Sequence, residues 1–340
     1  MYKTLAILIA VLFCVASVSA QQKPLQIRYG IFVKKINPDF KSATFNAEFY
    51  WWAIFENDTS ATGIGKNEMV NFEYVNAVNA EVDGAQKEIQ EFRSIGTNKY
   101  YCTGFHQGNF YFNPDFRRYP LDIQVLNIVV ENSLLTEDQL TILPDTSSYR
   151  LSGQPENFHG ISEELVNSRT QNYRFSNTKI WSETGVYNSN FGDPAFEPQS
   201  RYSRLIFSLA IDRAFVPYIS KLLIPLMIIL FQVYFVFYLP PHKIDIAAGL
   251  TVTSLLSAIA FQLSFAEELP EIGYIIYVDK IFYTCYFLIA TSMAQSLWTF
   301  YLDASGEPEK MAKAIRLDRQ FRFIFPLAFL IALVLFGITS

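Results

Sequence analysis

Hydrophobic positions follow two rhythms along this chain, and the change falls near residue 215. From residue 21 to 214 apolar and aromatic residues come in short runs, several alternating with polar ones: "IRYGIFVKKI", "TFNAEFYWWAIF", "VNFEYVNAV", "NFYFN", "DIQVLNIVVEN", "TKIWSETGVY" and "SRLIFSLAIDR". Turn clusters such as "NPDFKS", "ENDTSATG" and "NSNFGDP" separate them. Short aromatic and β-branched runs at this spacing predict an all-β sandwich. "VNSRTQNYRFSN" reads as a long surface loop, and "GIGK" at 63–66 as a turn.

From 215 to 340 the runs lengthen. "VPYISKLLIPLMIILFQVYFVFYL" (216–239), "DIAAGLTVTSLLSAIAFQLSFAEELP" (245–270), "YIIYVDKIFYTCYFLIATSMAQSLW" (274–298) and "FRFIFPLAFLIALVLFGIT" (321–339) predict four membrane spans. Pro225 is tolerable in the first, because neighbouring helices can satisfy the freed carbonyl. The link "PPHKID" carries Lys243, and a short connection over 299–320 carries Lys310, Lys313, Arg316 and Arg319. The link "EELPEIG" has three glutamates and no base. The positive-inside bias therefore puts the 240–245 and 299–320 links in the cytoplasm, with the sandwich and the C-terminus outside or in the periplasm of an inner membrane.

The first 20 residues, "MYKTLAILIAVLFCVASVSA", have one Lys, an apolar run and a small-residue end. They read as a signal peptide, with a first transmembrane helix as the alternative. Composition agrees with export and a membrane: 51% hydrophobic and only 17% charged residues are too apolar for an ordinary soluble chain of this size. Cys14 would leave with the signal, and Cys102 in the exported part and Cys285 in a later apolar run are not placed to pair, so the sandwich must rest on its core. His106, His159 and His242 give no ligand spacing for a metal. No nucleophile elbow, phosphate loop or metalloprotease motif stands in the chain, which argues against an enzyme and implies no cofactor. A net charge of -5 without a basic stripe argues against nucleic acid.

The second span is the one with chemistry. On a helix, Asp245, Gly249, Thr253, Leu256, Ala260, Leu263 and Glu267 form one stripe. Its ends lie about 33 Å apart, close to the thickness of a hydrocarbon core. Small residues alone would suit a helix packed tightly against others. A carboxylate at each mouth suits a pore wall better, with Asp245 and Glu267 concentrating cations and Leu256, Ala260 and Leu263 forming an apolar constriction that can dewet. One helix makes no conduit, so this reading requires an oligomer.

With these residues in place, the mature chain resembles the pentameric ligand-gated ion channels, the Cys-loop receptor superfamily. "FRRYPLDIQVL" (116–126) resembles the family's Phe-Pro-x-Asp-x-Gln signature, with Tyr119 for the first Phe and Pro120, Asp122 and Gln124 in place. "AEFYWWAIFEND", "FEYVNA" and "RYSRLIFSLAIDR" resemble, in order, the second strand, the first loop of the agonist site and the last strand before the membrane. Pro225 matches the proline of the first span, and "ELP" at 268–270 the end of the pore helix. Phe112 and Leu126 stand where the family's two loop cysteines would fall, so the loop disulfide is absent, as in bacterial-type members with a short cytoplasmic connection.

The resemblance implies an immunoglobulin-like sandwich over 21–214, a four-helix transmembrane bundle over 215–340, and a homopentamer, each subunit partnered by four identical copies in lipid. It implies permeant monovalent cations, with Asp245 as the cytoplasmic selectivity ring and Leu256 and Leu263 as the gate. It places an agonist site at Glu73, Glu131, Ser133, Tyr187 and Tyr202, with Tyr50 from the neighbour. Aromatic faces and carboxylates there suit an amine, and protons are the alternative stimulus. Ser133 stands where an aromatic is expected. Coupling is implied at Asp39, Asp122, Arg213, Leu269, Pro270 and Tyr274, with Phe40 where some members carry a carboxylate. A membrane-anchored binding protein without conductance is the rival from another class.

Overall fold

The computed structural model describes residues 23–339 apart from 79–88, 148, 150–159, 167–172, 193–197, 214 and 268. The expected signal peptide, 1–20, and His159 lie outside the described residues. Among the described residues nine strands come first: β1 (Leu25–Asp39), β2 (Thr44–Glu56), β3 (Phe72–Tyr74), β4 (Ile89–Gly96), β5 (Lys99–Tyr111), β6 (Ile123–Asn132), β7 (Leu140–Pro144), β8 (Tyr173–Tyr187) and β9 (Ser200–Arg213). They form two sheets, ordered β4-β5-β2-β1-β7 and β3-β6-β9-β8. The β1–β7 pair is parallel and the other pairs are antiparallel.

Alternation sets which residues fill the space between the sheets. Ile27, Tyr29, Ile31 and Val33 point inward, and the next inward residue is Ile36. The register against β2 shifts between Val33 and Lys35, so one extra residue restores the apolar face. Trp51 stacks on Tyr29, and Phe72 meets both edge-on. These large rings fill the core together with Cys102, which is free and buried.

The strand reading needs one correction. Of the loop expected over 166–177, Val166 closes a short helix (Glu163–Val166), 167–172 lie outside the described residues, and β8 begins at Tyr173. Tyr173 and Phe175 are buried, and the Tyr173 hydroxyl donates to the Ile36 carbonyl at 3.2 Å. β4, β7 and the first part of β5 are further strands that the sequence reading left out.

Four long helices follow: α1 (Phe215–Tyr234), α2 (Ile244–Ala266), α3 (Tyr277–Ala304) and α4 (Pro308–Thr339). A 3₁₀ turn, Phe235–Tyr238, extends α1. They share one apolar core built on Leu222, Leu226, Val233, Ala258, Phe282 and Phe325. Among the described residues three helices are long and apolar enough to cross a membrane: Pro217–Tyr238, Ile244–Ala266 and Pro308–Phe336. The other expected span falls on α3, which packs against α2 and α4. The expected connection over 299–320 is mostly helix. α3 runs on to Ala304 and α4 starts at Pro308, leaving a three-residue turn at 305–307. Gly306 takes φ +70 there, a conformation that suits glycine, and Pro308 suits a first helical position.

Candidate functional sites

The α2 helix has two unlike faces. Ala247, Thr251, Ser254, Ala258 and Phe265 are buried against the rest of the bundle. Asp245, Gly249, Thr253, Leu256, Ala260, Leu263 and Glu267 are all exposed on this chain. Leu256 and Leu263 are 63% and 64% exposed, a large apolar area for the middle of a helix. Four polar residues off this stripe have partners, whereas the buried Ser254 hydroxyl has no hydrogen-bond partner among the described residues. Thr251 donates to the Ala247 carbonyl at 2.9 Å, Ser257 to Thr253 at 2.9 Å and Ser264 to Ala260 at 3.2 Å. Gln262 donates to Asp279 at 3.2 Å and accepts from the Tyr286 hydroxyl at 2.5 Å, tying α2 to α3.

A second cluster lies on the outer face of the four-stranded sheet. The register sets Glu73 opposite Glu131, Glu131 opposite Arg204 and Arg204 opposite Glu183, one row across four strands. Glu131 is 2% exposed. The Tyr187 hydroxyl donates to its Oε1 at 2.6 Å, and Arg204 Nε donates to its Oε2 at 2.7 Å. The Arg204 guanidinium lies 5.0 Å over the Tyr187 ring. Tyr202 and Phe191 approach that ring edge-on, with centroids at 5.7 and 5.5 Å. Partial desolvation and the adjacent Glu131 carboxylate push Glu73 up to about 7. Glu73 keeps contact with solvent, so the neighbouring carboxylate is the firmer of the two causes. Desolvation and the bond to Glu131 push the Tyr187 hydroxyl up to about 12.

Of the residues proposed for an agonist site, the fold therefore joins Glu73, Glu131, Tyr187 and Tyr202. Ser133 stands beside them, just past β6, and accepts from Asn71 Nδ2 at 2.8 Å. Tyr50 is on β2 in the other sheet, exposed, with its ring tilted against Phe105. Arg204 and Phe191 are members that the sequence reading missed. "RYSRL" offers Arg204 as one of two bases, and only the strand register aims it at Glu131.

The third site joins sandwich to helices. Arg213, the last residue of β9, bonds Asp122 through Nε at 3.0 and 3.2 Å. Gln124 Nε2 donates to the same carboxylate. The guanidinium lies 4.0 Å over Phe40, 4.9 Å over Tyr119 and 5.7 Å over Tyr218. Asp39 takes no part in this cage. It accepts from the Lys41 and Ser42 amides in its own turn, and Ser42 holds its carboxyl below the usual range. Phe40 occupies the junction instead, meeting Phe112 and Phe116 edge-on. From the helical side, the Tyr274 hydroxyl accepts from the Phe116 amide at 3.0 Å, and the Tyr277 amide donates to the Arg117 carbonyl at 3.0 Å. Leu269 and Pro270 line a cavity of about 80 Å³ with Gln262, Phe265 and Asp279.

No family model matches the chain. Over 219 residues, 64% of its length, the chain is 27% identical to a protein of Gloeobacter violaceus named a proton-gated ion channel. The alignment covers 54% of that protein, so the chain spans about half the length of the curated relative it matches.

Proposed function

We propose that the chain is one subunit of a cation-conducting, ligand-gated channel of the inner membrane, in which five copies surround a pore walled by α2. The observation that carries this reading is the uncovered face of α2, with Asp245 and Glu267 at its ends and Leu256, Ala260 and Leu263 between. A helix buried on one side and open along a carboxylate-ended stripe on the other suits a water-filled axis shared with copies of itself. The similarity to a protein named an ion channel supports the same class. In this reading α3 completes a four-span bundle, Lys243 and the basic residues after Pro308 lie in the cytoplasm, and the sandwich and C-terminus lie outside.

Five Asp245 carboxylates around a narrow mouth set a negative potential that admits monovalent cations and rejects anions. The five-fold Leu256 and Leu263 rings hold the pore dry until a stimulus acts on the Glu73–Glu131–Tyr187 cluster. That stimulus is a small ligand at the cluster, completed by Tyr50 of a neighbouring copy, or the proton. The coupling route is the Asp122–Arg213 junction, with Tyr274, Leu269 and Pro270 receiving the displacement.

The test is current recording from the purified chain in bilayers across pH 4 to 8, with and without primary amines. Cation currents are expected, with Asp245→Ala moving the reversal potential toward lower cation preference and Leu256→Ser easing opening. Absence of conductance under every condition would leave the membrane-anchored binding protein. Reversal potentials unchanged by Asp245→Ala would remove that residue from selectivity.

A further inference from the structure

An amine entering the outer-sheet cluster would need two things: a free carboxylate for its charge and an open aromatic face for a cation–π contact. The chain already fills the buried carboxylate, Glu131, and the face of Tyr187 beside it. Glu131 has one oxygen bonded to the Tyr187 hydroxyl at 2.6 Å and the other to Arg204 Nε at 2.7 Å. The face of Tyr187 is covered by the Arg204 guanidinium at 5.0 Å. The backbone is shaped to allow this. Gly185 sits opposite Tyr202 on the neighbouring strand, and a Cβ there would lie 2.2 Å from Arg204 Nε.

We propose that Arg204 is a specificity-determining residue, a tethered cation that occupies the position an amine would take, so that Glu73 is left as the carboxylate open to solution and the site takes a proton in preference to an amine. This rests on the reading of the cluster as the channel's ligand site. The tether is the physical reason for the preference. An amine must displace a guanidinium held in place by its own chain, at an effective concentration that free ligand does not reach. A proton displaces nothing, because it fits between Glu73 and Glu131 with Arg204 still bound.

The surrounding charges favour it. The groups facing Glu73 are Glu131 from β6 and Arg204 and Tyr202 from β9, with Glu183 on β8 ending the row beyond Arg204. Three carboxylates against one guanidinium leave the row with an excess of negative charge when all are ionised. Two carboxylates on adjacent strands relieve it by sharing one proton. Glu73, pushed up to about 7, is the member that takes it.

Two measurements on the purified full chain test this, and neither needs a current. The first is calorimetric binding of propylamine at pH 8 to the native chain, Arg204→Gln and Arg204→Lys. Propylamine should bind Arg204→Gln about tenfold more tightly than the native chain or more, the equivalent of one vacated cation–π and carboxylate position. Arg204→Lys, which keeps a tethered cation, should match the native chain. Equal propylamine affinity in native and Arg204→Gln chains overturns the proposal. The second is infrared titration of carboxyl groups. A carboxyl that titrates near pH 7 in the native chain should vanish in Glu73→Gln, and its persistence there overturns the proposal without the Arg204 variants. Failure of conductance with both results intact would instead overturn the channel reading alone.

Discussion

Asp122→Ala should be among the most damaging single changes in the sandwich. Asp122 and Arg213 are 3% and 8% exposed, and their two bonds are 3.0 and 3.2 Å long. Arg213 Nη2 is buried with no hydrogen-bond partner among the described residues, so the guanidinium depends on this one carboxylate for charge balance. The rings of Phe40, Tyr119 and Tyr218 remain over the cation in the variant and do not offset the loss. Removing one member of a buried pair leaves an uncompensated charge, a cost of about 3–5 kcal/mol. The assay is amide hydrogen exchange along β6 and β9 of the full chain, which reads opening free energy locally. Exchange there should speed up between about a hundredfold and several thousandfold, at a factor of ten per 1.4 kcal/mol. Replacing both members, Asp122→Leu with Arg213→Met, should recover most of the loss, because no buried charge is then left alone. Acceleration by less than about fivefold in Asp122→Ala, near 1 kcal/mol, would refute the view that the pair is unscreened.

Glu73→Gln should stabilise the fold at pH 8 and leave it unchanged at pH 4. A carboxyl raised to about 7 holds a proton that the unfolded chain has released, so its contribution is full below about 4.5 and lost as pH rises through about 7. Discounted for the solvent access of Glu73, the gain at pH 8 is about 1 kcal/mol, readable by exchange at β3 and β6. Gly185→Ala puts a Cβ 2.2 Å from Arg204 Nε and should push the guanidinium off Glu131, at a cost of about 1–3 kcal/mol. The signature is a shift in the Glu73 titration beyond any change in overall stability. Burial pushes the Cys102 thiol up to about 12, so maleimide should leave it unlabelled in the native chain and react once the sandwich unfolds.

Strands with one buried face announce themselves. β2 alternates Phe45, Ala47, Phe49, Trp51, Ala53 and Phe55 inward, and its pattern is plain in the sequence. β4 has no such face. Every residue after Ile89 is exposed, so "IQEFRSIG" carries no period of two to detect. β7 is five residues ending in proline, too short to separate from a loop. The start of β8 does alternate, Tyr173 and Phe175 inward with Arg174 and Ser176 outward, but polar neighbours hid it.

The same limit applies to the sites. The stripe on α2 was legible because helical geometry is local, and all seven residues share one face by spacing alone. The cluster around Glu131 was legible only in part. Arg204 is 73 residues from Glu131 in sequence, and nothing short of the strand register pairs them. Asp39 was the acidic candidate for the junction because charge was the expected currency there. The fold instead turns Asp39 back on its own turn and gives the position to the Phe40 ring, a contact that an Arg accepts as readily as a carboxylate.

The two guanidinium–carboxylate pairs bracket a single ribbon. β6 and β9 pair in unbroken register from Glu131 opposite Arg204 to Ile123 opposite Asp212. The Glu131–Arg204 pair sits at one end, and Asp122–Arg213 lies one step beyond the other. At about 3.4 Å per residue the two guanidinium residues are roughly 30 Å apart along β9. The ladder between β8 and β9 has its one register shift at Phe175/Asn177, toward the helical end. The β6–β9 ladder has none. A displacement at Arg204 therefore finds little slack within the ribbon, whereas β8 can yield at its bulge. The ribbon's lower end leads through residue 214 into α1. Its last guanidinium is caged by rings from the β1–β2 turn, the loop before β6 and α1 itself. Movement of β9 along its own axis would load that cage, and the helices would receive it through Tyr218 on α1 and through the Phe116–Tyr274 and Arg117–Tyr277 bonds.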